Sequence, residues 1–188
     1  QMSYSELYNL IVAELTQAIV NKIVDLALVE GDGTNGFKSI DKEADVKKIK
    51  KITTKAKSAG DTPFANAIEE AVDFVRPTAG RRYLIVKAED RKALLDELRQ
   101  ATANAHVRIK NDDTEIASEV GVDEIIVYTG SKALKPIVLV DQKYHIDMQD
   151  LTKVDAFEWK TNSNMILVET LTSGHVETYN AGAVITVA

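Results

Sequence analysis

Residues 27–40 read ALVEGDGTNGFKSI, in which Gly31, Gly33 and Gly36 spell G-x-G-x-x-G. A dinucleotide-binding turn of that spelling needs a strand before it, a helix opening directly after it, and an acidic residue about 20 positions on to hold the ribose. All three are missing: a helical pattern precedes the glycines, residues 37–40 delay whatever follows, and the region twenty residues on is rich in lysine. No Gly-Lys-Ser/Thr follows to make a phosphate loop. A calcium loop starting at Asp32 would put Glu43 at its twelfth position, but its sixth would be Phe37, where the sharp turn requires glycine. The remaining use of glycine behind a helix is mechanical: left-handed backbone ends the helix, and Asn35-Gly36 turns the chain again. The stretch reads as a structural elbow built on Gly31, Asp32, Gly33 and Gly36.

Working back from the elbow, apolar residues recur at Leu7, Ile11, Leu15, Ile19, Ile23 and Leu26, and Leu10, Val12, Ala18 and Ala27 widen the stripe. Ser3 with Glu6 forms a capping box in front of it. One amphipathic helix over 5–29 is expected, roughly 38 Å long at 1.5 Å per residue. It has the proportions of a strut.

Working forward, residues 41–59 carry six lysines (Lys47, Lys48, Lys50, Lys51, Lys55, Lys57) around Val46, Ile49, Ile52 and Ala56, which predicts a helix with a basic, solvated outer face. Asp61-Thr62-Pro63 opens another helix, lined by Phe64, Ala67, Ile68, Ala71, Val72 and Val75 and ended by Arg76-Pro77. Residues 83–86 (YLIV) predict a buried strand, and Glu89-Asp90 open a helix carrying Leu94, Leu95 and Leu98. Residues 104–119 show little periodicity and read as mostly loop. Beyond Gly121 the runs 122–128, 136–140, 156–160, 165–171 and 176–187 are β-branched or aromatic and separated by turn residues. Phe157 and Trp159 alternate with charged neighbours as in a half-buried strand, and Ser173-Gly174 reads as a hairpin turn. The fold class is α+β.

The 188 residues are 45% hydrophobic and carry a net charge of −6, a balance that disfavours broad binding to polyanions. No run reaches the roughly 20 apolar residues of a membrane span. There is no cysteine, which removes disulfides, thiolate nucleophiles and cysteine zinc sites and fits an intracellular origin. His106, His145 and His175 sit in separate segments without metal-ligand spacing. Ser173 and His175 lack a nucleophile elbow, and the pairs Asp112-Asp113 and Glu69-Glu70 are adjacent rather than convergent. No catalytic residue, cofactor site or metal site is expected. The start at Gln1 instead of Met suggests a fragment or processed product.

The order of these pieces resembles the major capsid protein of tailed bacteriophages, the Hong-Kong-ninety-seven-type shell fold, over nearly the whole chain. The long helix running into ALVEGDGTNGFKSI looks like that family's spine helix and glycine-rich elbow. RYLIVK and AEDRKALLDELRQA are similar to its strand and helix before a variable loop, and PIVLVDQKYHIDMQDLTKVDAFEW with NMILVETLTSGHVETYNAGAVITV resembles its closing strand, long β-hairpin and last strand. The family's N-terminal arm and extended loop find no match here, which fits a chain shortened at its N-terminus. The resemblance implies a peripheral domain from 1–45 and 147–172, built on spine helix and hairpin, and an axial domain from 46–146 and 173–188 around a central sheet.

What the resemblance implies for function is a non-enzymatic shell subunit that self-assembles into hexamers and pentamers of an icosahedral phage or prophage head. Its partners would be copies of itself, with scaffold and portal proteins, packaged DNA only indirectly and no membrane. It would be assembled in the host bacterial cytoplasm and reside in the virion. The alternatives are an encapsulin-like compartment shell, a nucleotide-dependent enzyme using 31–36, and a nucleic-acid binder using the lysines between 47 and 57.

Overall fold

The computed structural model describes residues 3–58, 61–103, 108–158 and 163–188. Helix α1 (Tyr4–Asp25) starts on the expected capping box: Ser3 accepts from the Glu6 amide, and the Glu6 carboxylate accepts from the Ser3 amide at 2.7 Å. It passes into a π-turn at Leu26–Glu30, where the Gly31 amide reaches back five residues to the Leu26 carbonyl.

The body is a mixed five-stranded sheet in the order β1-β9-β4-β2-β3. Its strands are β1 (Ile49–Thr53), β2 (Arg82–Val86), β3 (Glu124–Val127), β4 (Ile137–Val140) and β9 (Gly182–Thr186). β1 runs parallel to β9 and β2 parallel to β3, while β4 is antiparallel to both β2 and β9. Period-two side-chain alternation splits the core in two. Leu84, Val86, Val138, Val140, Ala183 and Ile185 meet the apolar faces of α2 (Pro63–Val75), α3 (Ala88–Ala101) and α4 (Asp113–Val120). Ile85, Ile137 and Val184 face the other way and pack with Leu28, Ile40, Tyr128 and Val176.

α2 takes Thr62 as N-cap and Pro63 at its first turn, as expected, but the Thr62 side chain makes no capping bond. The carboxylate of Glu97 in α3 caps it instead. Glu97 is buried and accepts from the amides of Phe64 (3.2 Å) and Ala65 (2.8 Å), which places its charge at the positive end of the helix dipole.

The remaining strands build one long hairpin. β5 (Tyr144–Met148) pairs antiparallel with β8 (Thr172–Val176), and farther out β6 (Thr152–Glu158) pairs with β7 (Ser163–Glu169). Three residues, 149–151, connect the outgoing strands against two, 170–171, on the return, so the ribbon is bulged at that point. The Gln149 amide donates to the Leu171 carbonyl and the Thr170 hydroxyl to the Gln149 carbonyl, which ties the bulge together.

Four expectations need correction. The basic helix over 41–59 does not form: Ile49 and Ile52 lie on opposite faces of β1, because parallel pairing with β9 outweighs a helical spacing of apolar residues. Residues 113–120 are helical rather than loop, since Ile116, Ala117 and Val120 form an apolar stripe too short to register as periodicity. Ser173-Gly174 is no turn; both lie inside β8, opposite Asp147 and Ile146. The helix ends at Gly31 with φ −57 and not on the left-handed backbone expected there; the left-handed glycines of that stretch are Gly33 and Gly36. On α1 itself Val12 and Ile23 are buried, while Leu7, Leu10, Leu15, Val20 and Val24 are exposed. Trp159, Lys160 and His106 lie outside the described residues.

Candidate assembly surface

The elbow is built by satisfying the end of α1 and its π-turn. A helix leaves its last carbonyls without internal partners. Here every carbonyl from 26 to 30 finds one in the segment that follows. Leu26 receives the Gly31 amide (2.9 Å), Ala27 the Ile40 amide (2.8 Å) and Leu28 the Asp41 amide (3.2 Å). Val29 receives the buried Ser39 hydroxyl (3.1 Å) and Glu30 the Lys42 ammonium (2.8 Å). Residues 31–42 are thus a cap folded back over the helix.

Inside that cap Asp32 holds a tight turn by accepting from the amide (2.9 Å) and hydroxyl (2.6 Å) of Thr34. Those bonds keep its carboxyl below the ordinary range. Gly36 adopts φ +77, left-handed backbone that a side chain resists. The elbow also docks on the hairpin: the Lys38 amide donates to the Gly174 carbonyl and the Gly174 amide to the Gly36 carbonyl. The Phe37 ring lies against Gly174, where a Cβ would come within 2.8 Å of both Phe37 and Tyr144.

This geometry bears on the nucleotide alternative. The amides of Gly31 and Gly33, which a phosphate would need, are already donated to Leu26 and Phe37. A helix precedes the glycines and a turn follows them. The lysine alternative meets similar facts. Lys48 bonds the Val176 carbonyl (2.9 Å), Lys50 pairs with Glu70 (2.7 Å), and Lys51 donates to the carbonyls of Ile40 and Asp41. Burial lowers the pKa of Lys51. These three amines hold the fold together.

A second junction ties the helix end to the sheet. Glu30 pairs with Lys132 (2.5 Å) and with Lys22, and the two cations, Lys132 foremost, hold its carboxyl down at about 2. The Tyr128 hydroxyl donates to Asp25, and burial followed by that bond pushes the phenol up. No spacing in the sequence signals the Lys132–Glu30 or Tyr128–Asp25 contact, because each joins residues about a hundred positions apart.

Beside this junction, an open groove of about 630 Å³ runs between the end of α1 and the edge strand β3, lined by Ile23, Val24, Ile85, Ile126, Leu139 and Ile146. Apolar exposure is found again farther along α1, where Leu7, Leu10 and Val20 are each 46% exposed. It recurs on the hairpin at Val154, Met165 and Leu167. Val154 stands opposite Leu167, and Met165 lies two residues away on the same face. Scattered exposed apolar residues are normal, but contiguous stretches mark contact surfaces. No helix is long and apolar enough to cross a membrane, and no group of three or more His, Asp or Glu side chains suited to a metal occurs among the described residues.

A strut helix with its folded-back cap, a bulged long hairpin and a helix-backed central sheet together form a recognisable tile. The capsid of an empty GTA particle superposes with a TM-score of 0.58, covering 97% of this chain and 65% of that one at 14% identity. The satellite phage P4 procapsid gives 0.55 over 99% and 65% at 14% identity, and a phage-related protein from Bordetella bronchiseptica gives 0.53 over 95% and 64% at 11% identity. The fold is that of phage capsid proteins.

Sequence then narrows the class. All 188 residues are 97% identical to the capsid proteins of Lactococcus phages p2 and SK1, and the chain spans 48% of the length of each. No family model matches. The chain therefore has the fold of phage capsid proteins and nearly the sequence of two of them over the half of their length that it spans. The relatives give no support to the encapsulin-like or nucleotide-enzyme alternatives.

Proposed function

We propose that the chain is the body of a shell subunit that packs with copies of itself, in hexameric and pentameric groups, into the icosahedral head of a phage. The observation that carries this reading is the apolar surface that the fold leaves open along α1, over the groove beside β3 and on the hairpin face of Val154, Met165 and Leu167. A thin tile with such surfaces gains its stability from neighbours, and symmetry multiplies contacts that are individually weak.

In this reading 1–45 and 147–172 form the peripheral part and 46–146 with 173–188 the axial part. The elbow of Gly31, Asp32, Gly33 and Gly36 sets the angle at which the spine helix leaves the sheet. The subunit assembles in the host cytoplasm, with scaffold and portal proteins as partners, and ends in the virion. The net charge of −6 suits a lining that must not hold on to packaged DNA.

Electron microscopy and sedimentation of the full-length protein test the reading. Closed shells or ring-shaped capsomers are expected; only small discrete oligomers under every assembly condition would overturn it.

A further inference from the structure

The two described histidines, thirty positions apart in sequence, face each other across the stem of the long hairpin. His145 in β5 pairs directly with His175 in β8, with ring centres 6.1 Å apart and ring planes at 70°. The other face of this ribbon is spent on the body, where Phe37 rests on Gly174 and the Tyr144 hydroxyl donates to the Lys38 carbonyl at 3.0 Å. The histidines occupy the outward face, with their side chains 53% and 44% exposed. Each has a carboxylate two residues on, Asp147 within β5 and Glu177 just past the end of β8: His145 Nε2 lies 3.1 Å from Asp147 Oδ1, and His175 Nε2 lies 3.1 Å from Glu177 Oε1.

We propose that His145 and His175 form a cross-strand chelate for a borderline divalent transition-metal ion of the Zn²⁺ or Cu²⁺ class. Imidazole is the side chain that suits such ions, and directly opposed residues of an antiparallel pair stand about 4.5–5.5 Å apart at Cβ, within reach of a shared ion. With metal–nitrogen bonds of about 2.0–2.1 Å, two rings on one ion stand roughly 5 Å apart at their centres, about an ångström closer than the 6.1 Å here, so the rings turn toward each other on binding. Asp147 and Glu177 then play the outer part that carboxylates commonly play for ligating histidines, holding the rings and raising their basicity. No third His, Asp or Glu among the described residues completes the set, so water fills the remaining positions and the site is open. A bound ion would fasten β5 to β8 where the hairpin leaves the body. This site is independent of the assembly surface.

The test uses untagged full-length protein, titrated with Zn²⁺ in a calorimeter and with Cu²⁺ under electron paramagnetic resonance. One ion per chain and a two-nitrogen copper spectrum are expected. Either His145→Ala or His175→Ala should lose that spectrum and weaken binding on the order of tenfold or more. Asp147→Asn and Glu177→Gln should weaken it about tenfold and keep both nitrogens. His106→Ala, the control for the third imidazole of this chain, should change nothing. Circular dichroism confirms that each variant stays folded, and His→Gln replacements serve if an alanine variant does not. Binding that is unchanged in the double His145/His175 variant, or no saturable binding at millimolar metal, would overturn the proposal.

Discussion

The amide of Ile40 donates to the carbonyl of Ala27 at 2.8 Å, so the chain that leaves the first helix comes back to close it. The buried Ser39 hydroxyl does the same for Val29 and also accepts from the Lys42 amide at 3.2 Å. Ser39→Ala removes the partner of a carbonyl and an amide that are only partly buried, at a cost of about 1 kcal/mol. Urea unfolding should show a lower midpoint with an unchanged slope.

Gly174→Ala and Gly33→Ala separate crowding from backbone strain. At Gly174 the new methyl would meet two aromatic rings at 2.8 Å; at Gly33, φ is +93 and nothing lies within 4 Å. The first change should cost about 1–3 kcal/mol through overpacking and also loosen the elbow from the hairpin. The second should cost about 1–2 kcal/mol from conformation alone. Hydrogen exchange at the Lys38 amide distinguishes them: it accelerates in Gly174→Ala and not in Gly33→Ala.

Glu97 should behave as the cap of a helix it does not belong to. Glu97→Ala leaves the amides of Phe64 and Ala65 unpaired inside the core, whereas Glu97→Gln keeps one acceptor. The expected order of stability is wild type, then Gln, then Ala, with the last lower by about 2 kcal/mol or more. Equal stability of all three in urea would contradict the assignment.

The Glu30 carboxyl, held down at about 2, contributes to stability that depends on pH. A depressed carboxylate stabilises the fold fully above its unfolded value, about 4.3, and the contribution is lost as pH falls toward 2. Wild type should therefore lose stability between pH 4.5 and 2 more steeply than Glu30→Gln. Paired urea titrations across that window measure the difference, and added salt should shrink it because the cluster is near solvent.

How much of this was legible beforehand depended on whether an element's reason for existing was local. The capping box of Ser3 and Glu6, Pro63 at the start of α2, and the strand at Tyr83 to Val86 were all readable because sequence neighbours enforce them. β1 misled because Ile49 and Ile52 satisfy a helical spacing, while their burial depends on β9, more than a hundred residues later. Ser173-Gly174 misled for a related reason: glycine is needed there as space for the Phe37 ring, not as a turn. A change of direction at the glycines was recognisable, but Gly31 ends the helix at φ −57 and not with the expected left-handed backbone. The partners of the helix-end carbonyls were not readable, since a hydroxyl at Ser39 or an ammonium at Lys42 carries no mark of its acceptor. The histidine pair was invisible for the same reason, because pairing register lies outside local sequence.

Charge placed on the open face of α1 should spare the fold and damage assembly. Leu10→Glu and Val20→Glu sit on exposed positions, so thermal unfolding of the subunit should shift little, within about 0.5 kcal/mol. Shell yield, read by sedimentation of the full-length protein, should collapse.

The most direct measurement is a cryo-electron microscopy reconstruction of the assembled full-length protein, read at Leu7, Leu10, Val20 and Val24. The account predicts density from a neighbouring subunit, or from the part of the protein beyond this chain, packed over all four. Those side chains lining open solvent in a closed shell would contradict it.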